Sequence, residues 1–299
     1  MDGILNVYKE KGFTSHDVVA KLRGIVKQKK IGHTGTLDPD AEGVLPVCLG
    51  KATKLCDLLT DKDKCYEAVL KLGVTTDTQD LTGTVRSTTD VALSKEAIKE
   101  AVLSFQGSYD QVPPMYSAIK VNGKKLYELA REGIEIERKP RSVLIHKIDI
   151  LEIDVSCYEV RMRVFCSKGT YIRTLCADIG DALRVGGAMK SLLRVKAGSF
   201  IIEESHTLKE IEAQMREGAL SEWLVPVDAI FSGYESFTVH KEKDRLLNNG
   251  NSLSLLDGVL SGVVSEGSMV RVYDSFLVFK GLYQIAEQNE CLVPYKMFL

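Results

Sequence analysis

Residues 32–54 read GHTGTLDPDAEGVLPVCLGKATK, and the order of residue types there decides how the rest of the chain is read. A glycine-rich approach, Gly32 and Gly35, leads to one acid, Asp38, which Pro39 follows at once. Glycine admits backbone angles closed to other residues, and proline fixes its own φ while pushing the preceding residue into an extended conformation. Asp38 is therefore expected on an extended loop or turn whose backbone can approach a ligand closely. After Gly43 comes an apolar run, residues 44–49, with the length and texture of a buried strand. Taken in isolation, TLDP reads first as an Asx-type turn in which Asp38 bonds its own backbone.

Two nucleotide-binding readings fail on spacing. Six residues separate Gly43 from Gly50 where a P-loop has four, and Ala52 stands where a Ser or Thr would hold magnesium. No GxGxxG follows a strand-like segment, so no dinucleotide cofactor is expected. The seven cysteines contain no CxxC pair, and an odd count in a chain of this size argues against a disulfide framework. The five histidines show neither HxxxH nor Cys/His ligand spacing, so no metal is expected either.

The chain has 299 residues, enough for one large and one small domain, and it is ordinary in composition at 44% hydrophobic and 27% charged. A net charge of -2 does not announce a nucleic-acid binder, yet the charge is uneven. Residues 117–147 hold eight Lys/Arg against four Asp/Glu, whereas residues 203–222 hold six acids against two bases. A basic face on a nearly neutral protein is consistent with that distribution. The N-terminus lacks a long apolar core, and no run approaches the roughly 18–20 apolar residues of a membrane span. A soluble, cytoplasmic protein is expected.

In chain order, residues 3–8 read as a strand. Thr14 then offers an N-cap, with Asp17 three residues on and Val18, Val19, Leu22, Ile25 and Val26 at helical spacing. Residues 65–72 read as a strand with Tyr66 near its start, and residues 77–83 as a polar turn. Ser94 caps a second amphipathic helix that stops at Gly107. Asn122-Gly123 between residues 118–121 and 124–126 signals a hairpin with Lys120, Lys124 and Lys125 around its tip, suited to an RNA groove or to plain solvation. Residues 142–155 and 158–166 read as strands. Tyr171 and Arg173 then fall on an extended segment, pointing to one side, before a helix that ends near Gly186. Leu192 to Arg194 suggest a further strand, and residues 207–218 an acidic helix. Beyond residue 234, short strands at 269–273, 277–279, 282–285 and 291–294 alternate with Gly, Asn, Asp and Ser. The fold class is α+β: a mixed, largely antiparallel sheet with helices on its faces over residues 1–230, and a small barrel-like β domain over 234–299.

These blocks resemble the bacterial tRNA pseudouridine-55 synthase family. The resemblance rests on GHTGTLDP with GVLPVCLGKATK, Lys64-Cys65-Tyr66, Gly73 with Thr76-Asp77-Thr78, VPPMYSAIKVNGKKLYELAREG at 112–133 and CSKGTYIRTL at 166–175, in the family's order. Several collinear blocks are far more specific than one. The resemblance implies a cofactor-independent isomerase with a pseudouridine synthase fold and an RNA-binding (PUA-like) tail, acting as a monomer on the T-arm of tRNA without a protein partner. It implies Asp38 as the catalytic carboxylate, Arg173 as its partner and Tyr66 stacked on the target uracil. Tyr171 would line the pocket, Leu192 would pack against it, His33 would fill the gap left by the extruded base, and Lys54 would lie near the site. Lys120, Lys124 and Lys125 would meet the RNA backbone. The family has proline after its first lysine, where this chain reads Lys9-Glu10-Lys11-Gly12.

The chemistry suits these residues. Pseudouridine forms when the bond from ribose C1′ to uracil N1 breaks and C1′ joins C5 of the same base, which requires a nucleophile or charge at the sugar and a base for the C5 proton. Two rivals stand beside this reading: an RNA-binding module that helps tRNA fold, with Asp38 structural, and a related synthase acting on another RNA.

Overall fold

The computed structural model describes residues 1–121, 123–286 and 290–299. Eight strands form the spine of the larger part: β1 Gly3–Lys9, β2 Glu42–Leu49, β3 Lys64–Leu72, β4 Gly107–Gln111, β5 Arg141–Asp154, β6 Glu159–Cys166, β7 Gly187–Ala197 and β8 Leu224–Val225. Their spatial order is β8-β1-β2-β7-β3-β6-β5-β4, with Ile31–His33 paired to β2 and Phe200–Ile201 paired to β7. Among the described residues β2 with β7 is the one parallel pairing of this sheet, so the mixed, largely antiparallel architecture expected from the sequence is present.

Four helices of nine to twelve residues pack on it: α1 Ser15–Val26, α2 Lys95–Leu103, α3 Ile172–Ala182 and α4 Leu208–Arg216. Thr14 and Asp17 form a reciprocal capping box at α1, Thr207 and Glu210 do so at α4, and Ser94 caps α2. Each cap satisfies backbone N–H groups that the first helical turn leaves without partners. α1 and α4 bury Val18, Leu22, Leu208 and Ile211 against Leu5, Val7, Leu45 and Val47. α2 and α3 bury Ile98, Val102, Leu175 and Ile179 against Ala68, Leu70, Met162 and Val164.

Register puts both helix pairs on the same side. Lys9 pairs with Gly43, Gly43 with Arg194, and Arg194 with Tyr66, and residues opposite one another in a sheet share a face. Lys9 alternates with Val7 and Leu5 of one apolar cluster, and Tyr66 alternates with Ala68 and Leu70 of the other. A row of polar groups thus crosses the sheet at the seam between two apolar clusters, and the Asp38 loop lies over that seam. The opposite face of β1 and β2 is covered differently: Ile4, Val44 and Cys48 pack with Leu59 of the short helix Cys56–Thr60 and with Leu282 and Phe298 from the end of the chain.

That end is a six-stranded, barrel-like sheet of β9 Glu235–Val239, β10 Leu253–Ser254, β11 Gly258–Leu260, β12 Met269–Tyr273, β13 Phe279–Ala286 and β14 Cys291–Met297, in the order β10-β14-β13-β12-β9-β11. Its own core is Phe237, Val239, Leu247, Val270, Val272, Tyr283 and Ile285.

Three local readings change. Residues 277–279 are not a strand: the Asp274 carboxylate accepts from the amides of Phe276 and Val278, Leu277 adopts φ +60°, and extended structure begins only at Phe279. The hairpin flanks pair, Lys120 with Lys125 and Val121 with Lys124, although Asn122 lies outside the described residues; a helix, Leu126–Arg131, follows where the sequence suggested strand. Tyr171 and Arg173 do not share one extended segment, because α3 starts at Ile172 and Tyr171 is its N-cap residue.

Candidate active site

The Asp38 loop is held on both sides by buried cations. Upstream, Arg194 Nη1 and Nη2 donate to the carbonyls of Thr36 (3.4 Å) and Gly35 (3.3 Å), while its Nε donates to Val44 O at 2.7 Å. Downstream, Lys9 Nζ donates to the carbonyls of Ala41 (2.6 Å), Pro39 (3.1 Å) and Glu10 (3.2 Å). Arg194 and Lys9 are 1% and 0% exposed, so these bonds replace nearly all their contact with water. The Leu37 amide donates to Ser15 Oγ in the first turn of α1 at 2.9 Å, and the Leu37 side chain is buried in the apolar cluster under α3. Leu37 therefore anchors the loop from below, and Asp38 is the next residue out. Its backbone carbonyl accepts from the Ala41 amide at 3.1 Å, and its carboxylate faces the next element instead of closing an Asx turn.

That element is the start of α3. Gln111 of β4, 1% exposed, clamps the Tyr171 peptide: its Oε1 accepts from Tyr171 N at 2.8 Å and its Nε2 donates to Tyr171 O at 3.0 Å. Arg173, in the first turn, directs Nη1 to Asp38 Oδ2 at 3.5 Å and to Asp80 Oδ2 at 3.9 Å, and Nη2 donates to the Tyr116 carbonyl. Asp80 is itself oriented. Its Oδ1 accepts from Thr78 Oγ1, Thr82 N and Thr82 Oγ1, which leaves Oδ2 for the guanidinium. The Tyr171 ring lies 6.0 Å from the guanidinium carbon.

The Asp38 side chain is 38% exposed while that of Arg173 is 7% exposed, so the carboxylate is open to solvent on one side. Enclosure by protein pushes the Asp38 carboxyl above the usual carboxylate range and Asp80 adds to the rise, with Arg173 and Lys9 opposing it. Burial brings the Lys9 amine down to about 8, against the pull of Glu42 and Asp38. Tyr66 is 9% exposed, and burial raises its hydroxyl above the ordinary phenol range, with nearby Arg194 opposing the rise. Tyr171 is raised for the same first reason. His33 is pushed below the ordinary imidazole value by burial, then by His16 and Arg194; the His16 ring stands edge-on to it at 5.3 Å.

Asp38, Arg173, Tyr66 and Tyr171 are thus gathered at one place, and Leu192 lies opposite Ala68 in the strand beside Tyr66. Lys54 is engaged elsewhere: its Nζ donates to the Met297 carbonyl of β14 at 2.9 Å. Lys124 meets Glu132 at 3.5 Å, Lys125 lies over the Tyr127 ring, and Lys120 is exposed. Sequence reasoning missed Asp80, Lys9 and Arg194. Asp80 sat in a stretch that looked like a plain polar turn, and its one signal was the pair of threonines two residues to either side. The two cations had no local signal, since their partners are backbone carbonyls up to 159 positions away. Among the described residues no group of His, Cys, Asp and Glu is arranged to hold a metal, and no helix is long and apolar enough to cross a membrane.

Comparison with known proteins gives this geometry its context. The model of the TruB family pseudouridylate synthase N-terminal domain matches residues 23–172, and that of the tRNA pseudouridylate synthase B C-terminal domain matches residues 173–232. The tRNA pseudouridine synthase B of Lachnoclostridium phytofermentans is 58% identical over 308 residues, covering 100% of both chains. This chain belongs to the TruB family. The tRNA pseudouridine synthase B of Clostridium kluyveri is 47% identical, with 91% of this chain and 92% of that one covered. Of solved structures, a Cbf5-Nop10-Gar1 complex superposes with a TM-score of 0.74 at 26% identity, covering 99% of this chain and 85% of its counterpart. As a TruB-family member the protein is a tRNA pseudouridine synthase, an isomerase.

Proposed function

We propose that the enzyme isomerises the uridine at position 55, in the T-loop of tRNA, with Asp38 as the reacting carboxylate. The carrying observation is the ion pair of Asp38 with Arg173 at 3.5 Å, on a loop clamped by Lys9 and Arg194 and bordered by Tyr66 and Tyr171. A loop nucleotide is already unpaired, so it can be swung out of its stack at a cost of a few kcal/mol. Tyr66 offers its face to the extruded uracil, a contact worth about 1–3 kcal/mol, and Leu192 packs beside it. His33 enters the vacancy left in the RNA.

With the nucleotide seated, the ionised Asp38 lies at C1′ of the ribose. Cleavage of the bond to N1 leaves the uracil held against Tyr66, where it turns to present C5. Joining C1′ to C5 and loss of the C5 proton to a base complete the isomerisation, by addition at the sugar or by elimination. Arg173 keeps Asp38 charged when the base shuts water out, offsetting desolvation. The lysines at 120, 124 and 125 and the C-terminal sheet meet the phosphate backbone of the T-arm.

The test is site mapping. Incubated with an unmodified tRNA transcript, the enzyme should create one pseudouridine, in the T-loop, and none when that uridine is replaced by cytidine. Pseudouridine appearing at another position in either transcript would overturn the T-loop assignment.

A further inference from the structure

On the face of the sheet away from the reaction, two cysteines meet across a glycine. Cys48 of β2 is the cross-strand partner of Gly32, and the Cys56 sulfur stands 2.9 Å from where a Cβ on Gly32 would lie. The missing side chain at Gly32 is what gives the second sulfur its room. Cys48 belongs to the apolar cluster on this face and Cys56 packs against it, so the second sulfur stands beside the strand position that Cys48 faces. They differ in access: Cys48 is fully buried, whereas Cys56, at the start of the short helix Cys56–Thr60, is partly open.

We propose that Cys48 and Cys56 are a redox modification site, oxidised to a disulfide by peroxide. The attacking sulfur is Cys56, the more accessible of the two, whose thiolate is favoured by the neighbouring Cys48 thiol against the opposing effect of burial. The Cys56 thiolate takes one oxygen from hydrogen peroxide and releases hydroxide, giving a sulfenic acid. The Cys48 thiol then attacks that sulfur, the S–S bond forms, and water leaves with the Cys48 proton and the sulfenic hydroxyl. The ring so closed contains Lys54, whose Nζ holds the last strand through Met297 O. Cys65 and Cys166 form a contrasting pair. They lie on adjacent strands but pair with Phe165 and Lys64 respectively, and Cys166 points into the core beneath α3 while Cys65 points the other way. They are not positioned to join.

The full-length reduced protein, treated with dilute hydrogen peroxide and then alkylated, decides the matter by mass. Trypsin cuts after Lys51 and Lys54, so a disulfide between Cys48 and Cys56 joins two peptides that otherwise separate. The expected result is loss of two hydrogen masses, the joined peptide pair, and its disappearance on adding dithiothreitol. Cys56→Ser should abolish the joined pair and Cys65→Ser should leave it in place. Wild-type protein that shows no joined pair would overturn the proposal, whether its cysteines stay reduced, gain only oxygen, or link elsewhere.

Discussion

On the proposed mechanism Asp38 must be charged to react, and its surroundings make it harder to charge. Enclosure raises the Asp38 pKa and Arg173 lowers it, so under that proposal the balance would set the acid edge of activity. Replacing Arg173 by Met should move the acid limb of the single-turnover rate to higher pH and slow the reaction about a hundredfold or more, as loss of a preorganised charge partner does. A pH–rate profile with an unmoved acid limb would show that Arg173 serves only as a strut. The same balance has a stability sign. A carboxyl whose folded pKa exceeds its unfolded one holds its proton more tightly when native, so its contribution falls as pH rises from the ordinary carboxylate value through the raised one. Asp38→Asn removes that penalty and should leave the thermal midpoint at neutral pH unchanged or higher.

At the scale of elements, the site depends on how closely β2 and β7 approach. Gly43 has φ +106°, and a Cβ there would fall 2.3 Å from the Arg194 carbonyl oxygen. Gly43→Ala should therefore cost roughly 2–4 kcal/mol in denaturant unfolding, through strain and a parted strand pair; a variant as stable as the parent would mean that the Asp38 loop tolerates displacement. Much of this level was legible in sequence. The capping residues Thr14 and Ser94 and the alternating strand of Tyr66 announce their elements locally. The loop that carries Asp38 was legible because glycine and proline constrain it. What could not be read is contact made over distance: the carbonyls that Lys9 and Arg194 grip, the second carboxylate on Arg173, and the engagement of Lys54 with β14. Tyr171 was misread because α3 starts without a Ser, Thr or Asp cap, and its N-cap peptide is held instead by Gln111, 60 residues earlier.

At the scale of the molecule, one sheet carries the two parts of the chain: helices and the Asp38 loop on one face, the C-terminal sheet against the back of β1 and β2. The net charge of -2 gives no general attraction for RNA, so on the proposed reading backbone contact would be concentrated in local basic segments. Replacing Lys120, Lys124 and Lys125 together by Ala should weaken tRNA binding and reduce the slope of log affinity against log salt by about 2–3, nearly one for each phosphate that is no longer neutralised. An unchanged slope would remove the hairpin from the interface. Under the proposed assignment binding and chemistry are separable, and the most direct measurement combines them: tRNA affinity and single-turnover pseudouridine formation by Asp38→Asn. The account predicts affinity within about tenfold of the parent, ~1.4 kcal/mol, with no pseudouridine formed. Pseudouridine formation by that variant at a rate near the parent's would contradict it.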